Sequence, residues 1–377
     1  MIIAIDIRRI SGFGVGTYIQ NLVRTLARQD RRHRYVLVQG PQPSEAFSPL
    51  PDNFSRVNFA PGDRSIRNHL QFQALLEEHR VDLLHVPHRH VPLLVPCPYV
   101  VTLHDLGELF YPVSEASGVR RGLRDFLMRR ALAGAARVMV VSRATGRDVL
   151  RHFRLDSRRI EVVYNAIDER LTQPLNESER LRTLERYGVN YPFLLYAGSV
   201  RPQKNVVRLI EAFAALKGEL AGQTAFSNLK LIVIGDEPSN NPDLRQAVVR
   251  SHMEQDVRFL GFVPMEALRV FYQAAEVFVF PSLYEDFGLP PLEAMALGTP
   301  VVASNTSSLP EVLGDAAVLV HPENVFDIVR GMHRVLTEPG VREFLRRRGL
   351  EQARKFSWER SVERVLEIYD QVGVSRS

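Results

Sequence analysis

Short apolar runs of strand type alternate with helical segments along almost the whole chain of 377 residues. In the first half, the predicted strands are 2–7, 35–38, 83–86, 99–103, 138–141 and 160–163. The helical segments between them are 17–28, 66–78, 119–132 and 144–152. Strands that alternate with helices of this length are typical of a parallel, doubly wound α/β sheet.

The same alternation starts again in the second half, at strand 193–196. Further strands are predicted at 229–234, 257–260, 277–280, 301–303 and 317–320. The segment 165–177 between the halves has neither strand nor helix periodicity, and the chain exceeds the size at which one hydrophobic core usually stops growing. We therefore predict two Rossmann-like, doubly wound domains that face each other across a cleft, with residues 1–168 in the first and 169–356 in the second.

Composition excludes several classes of protein. No apolar run reaches the roughly 20 residues of a membrane-spanning helix, and the first residues read as a strand containing Asp6 rather than as a signal peptide. The single cysteine, Cys97, excludes an internal disulfide and is typical of a reducing compartment, so a cytoplasmic protein is predicted. Residues 1–168 carry a net charge of +8 and the remainder −3, which indicates an acidic partner such as a phospholipid surface, a pyrophosphate-linked acceptor or nucleic acid.

Two glutamates, Glu285 and Glu293, stand eight positions apart after the predicted strand 277–280, the first in the following loop and the second in a predicted helix 292–297. Ligands of open α/β sheets bind at the carboxyl ends of the strands, so Glu285 is expected in that crevice. Pro291 suits the first helical position, which places Glu293 in the first turn beside free backbone N–H groups. Two acids and exposed amides suit the hydroxyls of a sugar and a ribose. The alternatives are a charge favoured by the helix dipole at Glu293 and a solvated loop charge at Glu285.

A glycine-containing loop is the first candidate for binding phosphate. It leads from the opening strand into a helix and contains Gly14 and Gly16, whose amides can approach an anion at a helix N-terminus. As a dinucleotide-binding fingerprint it is poor, because Thr17 stands where the third glycine belongs and Gln39, not an acid, closes the second strand. A plain glycine turn is the alternative.

Arg201 and Lys204 form the second phosphate candidate. They follow a Gly-Ser turn after strand 193–196 and stand at the head of the next helix, where charge and helix dipole together suit a pyrophosphate. Lys204 is one of only four lysines in a chain with 44 arginines, so background composition does not explain it. Solvated surface cations are the alternative.

Histidines mark the carboxyl ends of two strands in the first half. His104, followed by Asp105, is placed to hydrogen-bond a substrate or to stabilise developing charge, with a structural role as the alternative. His85, His88 and His90 cluster further upstream, and we interpret them as loop residues near a substrate, with metal ligation as the alternative. The sequence shows neither an Asp-x-Asp pair nor Cys/His ligand spacing, so no metal site is predicted.

The string from 282 to 305 closely resembles the Glu-x7-Glu signature of the retaining glycosyltransferases of family 4, which have the GT-B fold. Further strings resemble elements of that family in the same order, at 14–18, 104–105, 163–168, 198–205 and 261–264. The family often has arginine where Thr17 stands, and Tyr164 and Ala166 depart from its usual Pro-Asn-Gly-Val-Asp. In GT-B enzymes a tail helix, here predicted at 358–372, crosses back to the first domain, which then comprises 1–168 and 357–377.

The resemblance implies that the second domain binds a nucleotide-sugar. Arg201 and Lys204 would grip its diphosphate, and Glu293 would bind the ribose. The backbone around Val263 would read the nucleobase. Glu285 would hold the sugar hydroxyls together with the backbone amides of Phe287, Gly288 and Leu289. Because the two cations can neutralise the diphosphate, no metal and no other cofactor is implied.

The first domain is implied to bind the acceptor. Gly14 and Gly16 would lie near the distal phosphate of the donor and the acceptor, and His104 would act on the transferred sugar. The candidate catalytic residues are therefore Glu285 and His104, and the other positions bind the donor.

The resemblance as a whole implies a hexosyltransferase (EC 2.4.1.-) that moves a sugar, with retention, from a nucleotide-sugar to a hydroxyl of a glycan or lipid-linked acceptor in polysaccharide or glycolipid assembly. The window around Glu285 looks most like bacterial mannosyl- and glucosyltransferases, so GDP-mannose is the first expected donor and UDP-glucose or another UDP-sugar the alternative. A nucleotide-sugar epimerase, a pyridoxal-dependent phosphorylase using Lys204 and a non-catalytic glycan- or lipid-binding protein are the rival functions. No nucleic-acid partner is expected.

The predicted helix 119–132 carries five arginines interleaved with leucine and phenylalanine. A basic amphipathic helix in the basic domain is suited to peripheral contact with an anionic membrane, on the inner face of the cytoplasmic membrane. An ordinary solvated helix is the alternative.

Overall fold

The chain divides into two compact units. The first comprises Met1–Leu106, Ser114–Ala166 and Ser357–Ser377, and the second comprises Gly107–Val113 and Ile167–Phe356. The computed structural model describes residues 1–12, 14–41, 47, 49–60, 66–104, 106–111, 118–236 and 241–374. Asp105, predicted beside His104, lies outside these residues.

The first unit is built on a parallel sheet. Its strands are β1 Ile2–Asp6, β2 Arg34–Gln39, β3 Phe54–Asn58, β4 Leu83–Val86, β5 Tyr99–Leu103, β6 Arg137–Val140 and β7 Ile160–Val162. They lie in the order β3-β2-β1-β4-β5-β6-β7. The helices are α1 Val15–Gln29, α2 Ile66–Glu78, α4 Gly118–Gly134, α5 Arg143–Phe153 and α14 Trp358–Val374. Ile3, Ala4 and Ile5 of β1 are fully buried, as expected when helices cover both faces of a parallel sheet.

The C-terminal helix α14 belongs to the first unit, where it packs against α1 and β4. Its buried residues include Val365, Ile368 and Tyr369, whose spacing of three and four puts them on one face of the helix. The tyrosine hydroxyl hydrogen-bonds His85 on β4, so a polar contact fixes the helix as well as the apolar stripe.

The second unit contains another parallel sheet. Its strands are β8 Phe193–Gly198, β9 Lys230–Gly235, β10 Val257–Gly261, β11 Val277–Phe280, β12 Val301–Ser304 and β13 Val318–Val320. They lie in the order β10-β9-β8-β11-β12-β13. The helices are α3 Gly107–Phe110, α6 Glu177–Arg186, α7 Val206–Glu219, α8 Pro242–Arg250, α9 Met265–Ala274, α10 Leu289–Ala296, α11 Leu309–Leu313, α12 Val325–Thr337 and α13 Val341–Ala353.

This strand order decides where the second unit can bind a ligand. Strands β8 and β11 are hydrogen-bonded neighbours, although about 80 residues separate them in sequence. Strand β12 lies on the other side of β11. The loops after these three strands therefore meet at one edge of the sheet, where open α/β sheets bind their ligands.

The sequence does not predict β3. Its residues, Phe-Ser-Arg-Val-Asn, are largely exposed and include three polar side chains, so the strand carries little apolar signal of its own. It forms because its backbone pairs with β2 at the edge of the sheet. Among the described helices, none is long and apolar enough to cross a bilayer.

Candidate functional site

Lys204 and Glu285 meet at the carboxyl ends of β8 and β11. The lysine Nζ donates a hydrogen bond to Glu285 Oε1 at 2.6 Å, and the glutamate side chain is almost fully buried. The Nζ also lies 5.7 Å from the centre of the Phe280 ring. A short ion pair with so little exposure holds both side chains in one geometry before any ligand arrives.

A tight turn brings Lys204 to this position. Pro202–Lys204 form a 3-10 turn, and Asn205 follows in the left-handed region with a φ of 61°. The Asn205 side chain donates to the carbonyls of Pro281 and Pro322 at 2.9 and 2.7 Å, which ties the turn to the loops after β11 and β13. Arg201 precedes the turn and is exposed at the same end of β8.

The segment after Glu285 supplies backbone amides. Phe287 is buried, and its ring packs edge-on against Phe356 with 5.6 Å between centroids. Gly288 caps α10 with a φ of 95°, a conformation that favours glycine, and a Cβ there would lie 2.5 Å from a methyl group of Leu309. The helix begins at Leu289, so the amides of its first turn lack partners within the helix.

Glu293 does not lie in the first helical turn, and that prediction is wrong. The helix begins three residues earlier than predicted, at Leu289, directly after the capping residue Gly288. Pro290 and Pro291 fit its first turn, because their missing N–H groups cost no hydrogen bond there. Glu293 is therefore the fifth helical residue. Its Oε2 accepts a hydrogen bond from the Tyr272 hydroxyl at 2.9 Å.

The surroundings of Glu293 change its ionisation. Burial raises the pKa of its carboxyl from 4.5 to about 7, although the hydrogen bond from Tyr272 acts in the opposite direction, and nearby Asp168 raises the pKa further. The group therefore titrates near neutral pH. A carboxyl whose pKa is shifted this far by burial is often a functional residue.

Val263 follows β10 with its side chain buried, whereas its neighbour Phe262 is 74% exposed. The contact of the Val263 backbone with a nucleobase stays a prediction.

In the first unit, Gly14 and Gly16 lie where β1 passes into α1. Gly14 caps the helix with a φ of 70°. A Cβ on Gly16 would lie 2.2 Å from the Ile10 carbonyl oxygen, so the loop is closed too tightly for any side chain at that position. The glycines therefore have a structural reason to be present as well as the predicted phosphate contact.

His104 follows β5 and packs on Tyr18, with 4.2 Å between the ring centroids. Its Nε2 is buried and has no hydrogen-bond partner within the described part of the chain. Burial, with a smaller effect of His88, lowers the pKa of His104 to about 3, so the imidazole is neutral at pH 7. A neutral imidazole can hydrogen-bond a substrate but does not bring a positive charge.

The interpretation of His85 as a loop residue near a substrate is wrong. It is a buried residue of β4, and its two ring nitrogens hydrogen-bond Tyr369 at 2.6 Å and Thr102 at 2.8 Å. His88 is also buried, with its Nε2 at 3.3 Å from Asp6. Across the described ranges, no group of three or more His, Cys, Asp or Glu residues is arranged to hold a metal ion.

Two family models match successive parts of the chain. The profile described as "Glycosyltransferase Family 4" matches residues 13–171, and that described as "Glycosyl transferases group 1" matches residues 179–356. An O-antigen chain mannosyltransferase B from Escherichia coli is 32% identical over 299 residues, which cover 78% of this chain and 75% of that protein. The chain belongs to glycosyltransferase family 4. The predicted family and the predicted enzyme class, a glycosyltransferase, are thereby confirmed.

Solved structures support the fold of this glycosyltransferase. Sucrose-phosphate synthase from Thermosynechococcus elongatus matches it with a TM-score of 0.77 at 21% identity, over 100% of both chains. HepE from Anabaena, in complex with UDP and glucose, matches with a TM-score of 0.77 at 18% identity, over 98% of this chain and 100% of that one. The prediction of the GT-B fold, with two Rossmann-like α/β units, is confirmed.

Three side chains at the second unit's candidate site were not predicted from the sequence. Tyr272 on α9 hydrogen-bonds Glu293, and Ser307 and Ser308 hydrogen-bond the backbone of Glu285. The serines follow β12, so the rule that ligands bind at the carboxyl ends of strands would have found them. Nothing local marks Tyr272, because its partner is 21 residues away on another helix.

Proposed function

We propose that this glycosyltransferase moves a hexose, with retention, from a nucleotide-sugar to a hydroxyl of a glycan or lipid-linked acceptor in polysaccharide or glycolipid assembly. The observation that carries the proposal is the contact between Lys204 and Glu285. It holds a cation suited to a diphosphate directly beside a carboxylate suited to sugar hydroxyls. These are the two neighbouring parts of a sugar nucleotide.

In this proposal the second unit binds the donor. Arg201 and Lys204 neutralise the diphosphate, so no metal is required. Glu285 accepts hydrogen bonds from sugar hydroxyls, assisted by amides at the start of α10. Glu293 accepts hydrogen bonds from the ribose, and the backbone at Val263 contacts the base.

The groups next to developing charge contribute most to stabilising the transition state. The transition state is oxocarbenium-like, with positive charge on the sugar and growing negative charge on the leaving diphosphate. Lys204 stabilises the diphosphate as it leaves, and Glu285 lies next to that cation, where it can stabilise the sugar. In this proposal the acceptor hydroxyl attacks from the face of the leaving group, and the departing phosphate takes its proton. His104 is neutral, so it can donate a hydrogen bond to the transferred sugar or accept one from it.

Mannose from GDP-mannose is the first donor we propose, because a relative at 32% identity is a mannosyltransferase. A UDP-sugar is the second candidate, because HepE was solved with UDP and glucose.

A donor screen tests the proposed function. GDP-mannose, UDP-glucose, GDP and UDP are titrated into the protein at pH 6 and pH 8 in the presence of EDTA, and the melting temperature and Kd are measured. We expect one nucleotide-sugar to bind, and to bind up to about tenfold more tightly at pH 8, because only the ionised Glu293 accepts hydrogen bonds from both ribose hydroxyls and its pKa is about 7. A Glu293→Gln variant should lose this pH dependence.

Two results would contradict the proposal. One is that neither nucleotide-sugar binds. The other is that the bound sugar is converted to an isomer without any acceptor, which would indicate an epimerase.

We also propose that the enzyme works in the cytoplasm, in peripheral contact with the anionic inner face of the cytoplasmic membrane through α4. Leu123, Phe126 and Leu127 of this helix are 58%, 62% and 41% exposed, and their spacing of three and four residues puts them on one face. Arg129 and Arg130 are exposed on the same helix. Apolar side chains flanked by arginines suit a bilayer surface with anionic headgroups.

Vesicle sedimentation tests this contact. Wild-type protein is expected to sediment with phosphatidylglycerol vesicles and to be released by high salt, because the attraction is partly electrostatic. Phe126→Ser should weaken binding about tenfold to 100-fold, since burial of a phenylalanine side chain contributes roughly 1.5–3 kcal/mol. Phe326→Ser on α12, a phenylalanine of the second unit that is 75% exposed, is the matched control. Equal binding to phosphatidylcholine vesicles, or equal loss in the control, would contradict the membrane proposal.

A further inference from the structure

Two serines hold the backbone of Glu285 from both sides. Its N–H donates to Ser307 Oγ at 2.9 Å, and its carbonyl accepts from Ser308 Oγ at 2.9 Å. The Thr306 hydroxyl donates to the carbonyls of Ser282 and Leu283 in the same loop, at 3.4 and 3.3 Å. Consecutive hydroxyls of the loop after β12 thus hold the loop after β11.

Both serines make these hydrogen bonds in place of a locally more favourable arrangement. Ser307 lies in the left-handed region with a φ of 52°, where a residue with a Cβ is strained and glycine is favoured. Ser308 immediately precedes α11, where a serine commonly caps the helix, yet its hydroxyl makes no cap hydrogen bond. That hydroxyl is fully buried and donates to Glu285 instead.

We propose that Ser307 and Ser308 are positioning residues that fix the backbone of Glu285 and so aim its carboxylate at the donor sugar. The inference rests on the proposed role of Glu285 in holding that sugar. Lys204 alone does not suffice for this task, because the same ammonium group has to serve the diphosphate when the donor binds. The serine hydrogen bonds are made to the backbone and persist whatever the carboxylate contacts.

The test compares four variants with the wild type. Ser307→Gly removes one hydroxyl and relieves the left-handed strain, and Ser308→Ala removes the other hydroxyl. Ser304→Ala is the matched control, since Ser304 is an equally buried serine at the end of β12 whose hydroxyl has no hydrogen-bond partner among the described residues. Glu285→Gln tests the carboxylate itself.

The measurements are kcat and KM for hydrolysis of GDP-mannose or UDP-glucose, whichever the wild type turns over, with the Kd for GDP or UDP and the melting temperature. We expect Ser307→Gly and Ser308→Ala to lower kcat about tenfold or more, because small displacements of a positioning group are costly. Their Kd for the nucleoside diphosphate should stay within about twofold of the wild type, because the sugar is absent from that ligand. Ser304→Ala should match the wild type throughout.

The outcomes separate this inference from the proposed function. If Glu285→Gln lowers kcat but both serine variants keep the wild-type kcat, the positioning role is overturned and the role of Glu285 stands. If Glu285→Gln also keeps the wild-type kcat, the proposed function of Glu285 itself fails. A loss of nucleoside diphosphate affinity equal to the loss of kcat would show a merely structural role. Should Ser308→Ala fail to fold, Ser307→Gly decides, because it removes a hydroxyl without adding strain.

Discussion

Replacing Lys204 with alanine is expected to lower kcat/KM for the nucleotide-sugar by about 100- to 1,000-fold, the usual cost of removing a group that stabilises charge in a transition state. The leaving diphosphate gains negative charge as the glycosidic bond breaks, so a cation beside it contributes more in the transition state than in the ground state. The turn Pro202–Lys204 and the contact with Glu285 hold Lys204 in place.

Lys230→Ala is the control for this experiment. Lys230 lies in the same unit and is similarly shielded, but its Nζ contacts the Gln255 carbonyl and Asp256, away from the candidate site. We expect the kcat/KM of Lys230→Ala to match that of the wild type. A loss of activity in Lys230→Ala as large as that in Lys204→Ala would mean that the lysine effect is not specific to the diphosphate site.

Replacing Glu285 with glutamine is expected to lower kcat about 100-fold, while folding survives because the amide has nearly the same shape. In the proposed site, the change removes the negative charge that faces the sugar in the transition state. It also leaves Lys204 without the carboxylate that neutralises it, so the full charge of the ammonium is offered to the diphosphate. Affinity for GDP or UDP alone should therefore be at least as high as in the wild type.

This combination, a lower kcat with undiminished nucleoside diphosphate affinity, distinguishes a role at the sugar from a general disturbance of the site. It is measured by steady-state hydrolysis of the donor and by calorimetric titration with the nucleoside diphosphate. An equal fall in kcat and in nucleoside diphosphate affinity would contradict the proposal that Glu285 acts on the sugar and Lys204 on the diphosphate.

The sequence predicts the architecture well because the signal is local. Fully buried parallel strands carry continuous apolar runs, and these mark all the strands except β3, which depends on its neighbour. The start of α10 is missed for a local reason too. Two prolines and a glycine permit several first residues, and in the structure the helix begins at Leu289, after the capping Gly288.

The candidate site is only partly predictable from the sequence. Glu285 and Lys204 can each be named, but their 2.6 Å contact joins residues 81 positions apart and depends on β8 and β11 being neighbours. The raised pKa of Glu293 likewise depends on burial, which the sequence does not show. His85 illustrates the opposite error. The sequence suggests a loop residue near a substrate, but His85 is a buried strand residue with both ring nitrogens hydrogen-bonded.

We propose that the edge formed by the carboxyl ends of β8 and β11 holds the sugar and the diphosphate of the donor. The decisive experiment is a crystal structure of the enzyme with an unreactive 2-fluoro analogue of GDP-mannose or UDP-glucose. We predict a diphosphate oxygen within hydrogen-bond distance of Lys204 Nζ and a sugar hydroxyl on the carboxylate of Glu285. A donor bound with its diphosphate away from Lys204 and its sugar away from Glu285 would show that the donor binds elsewhere.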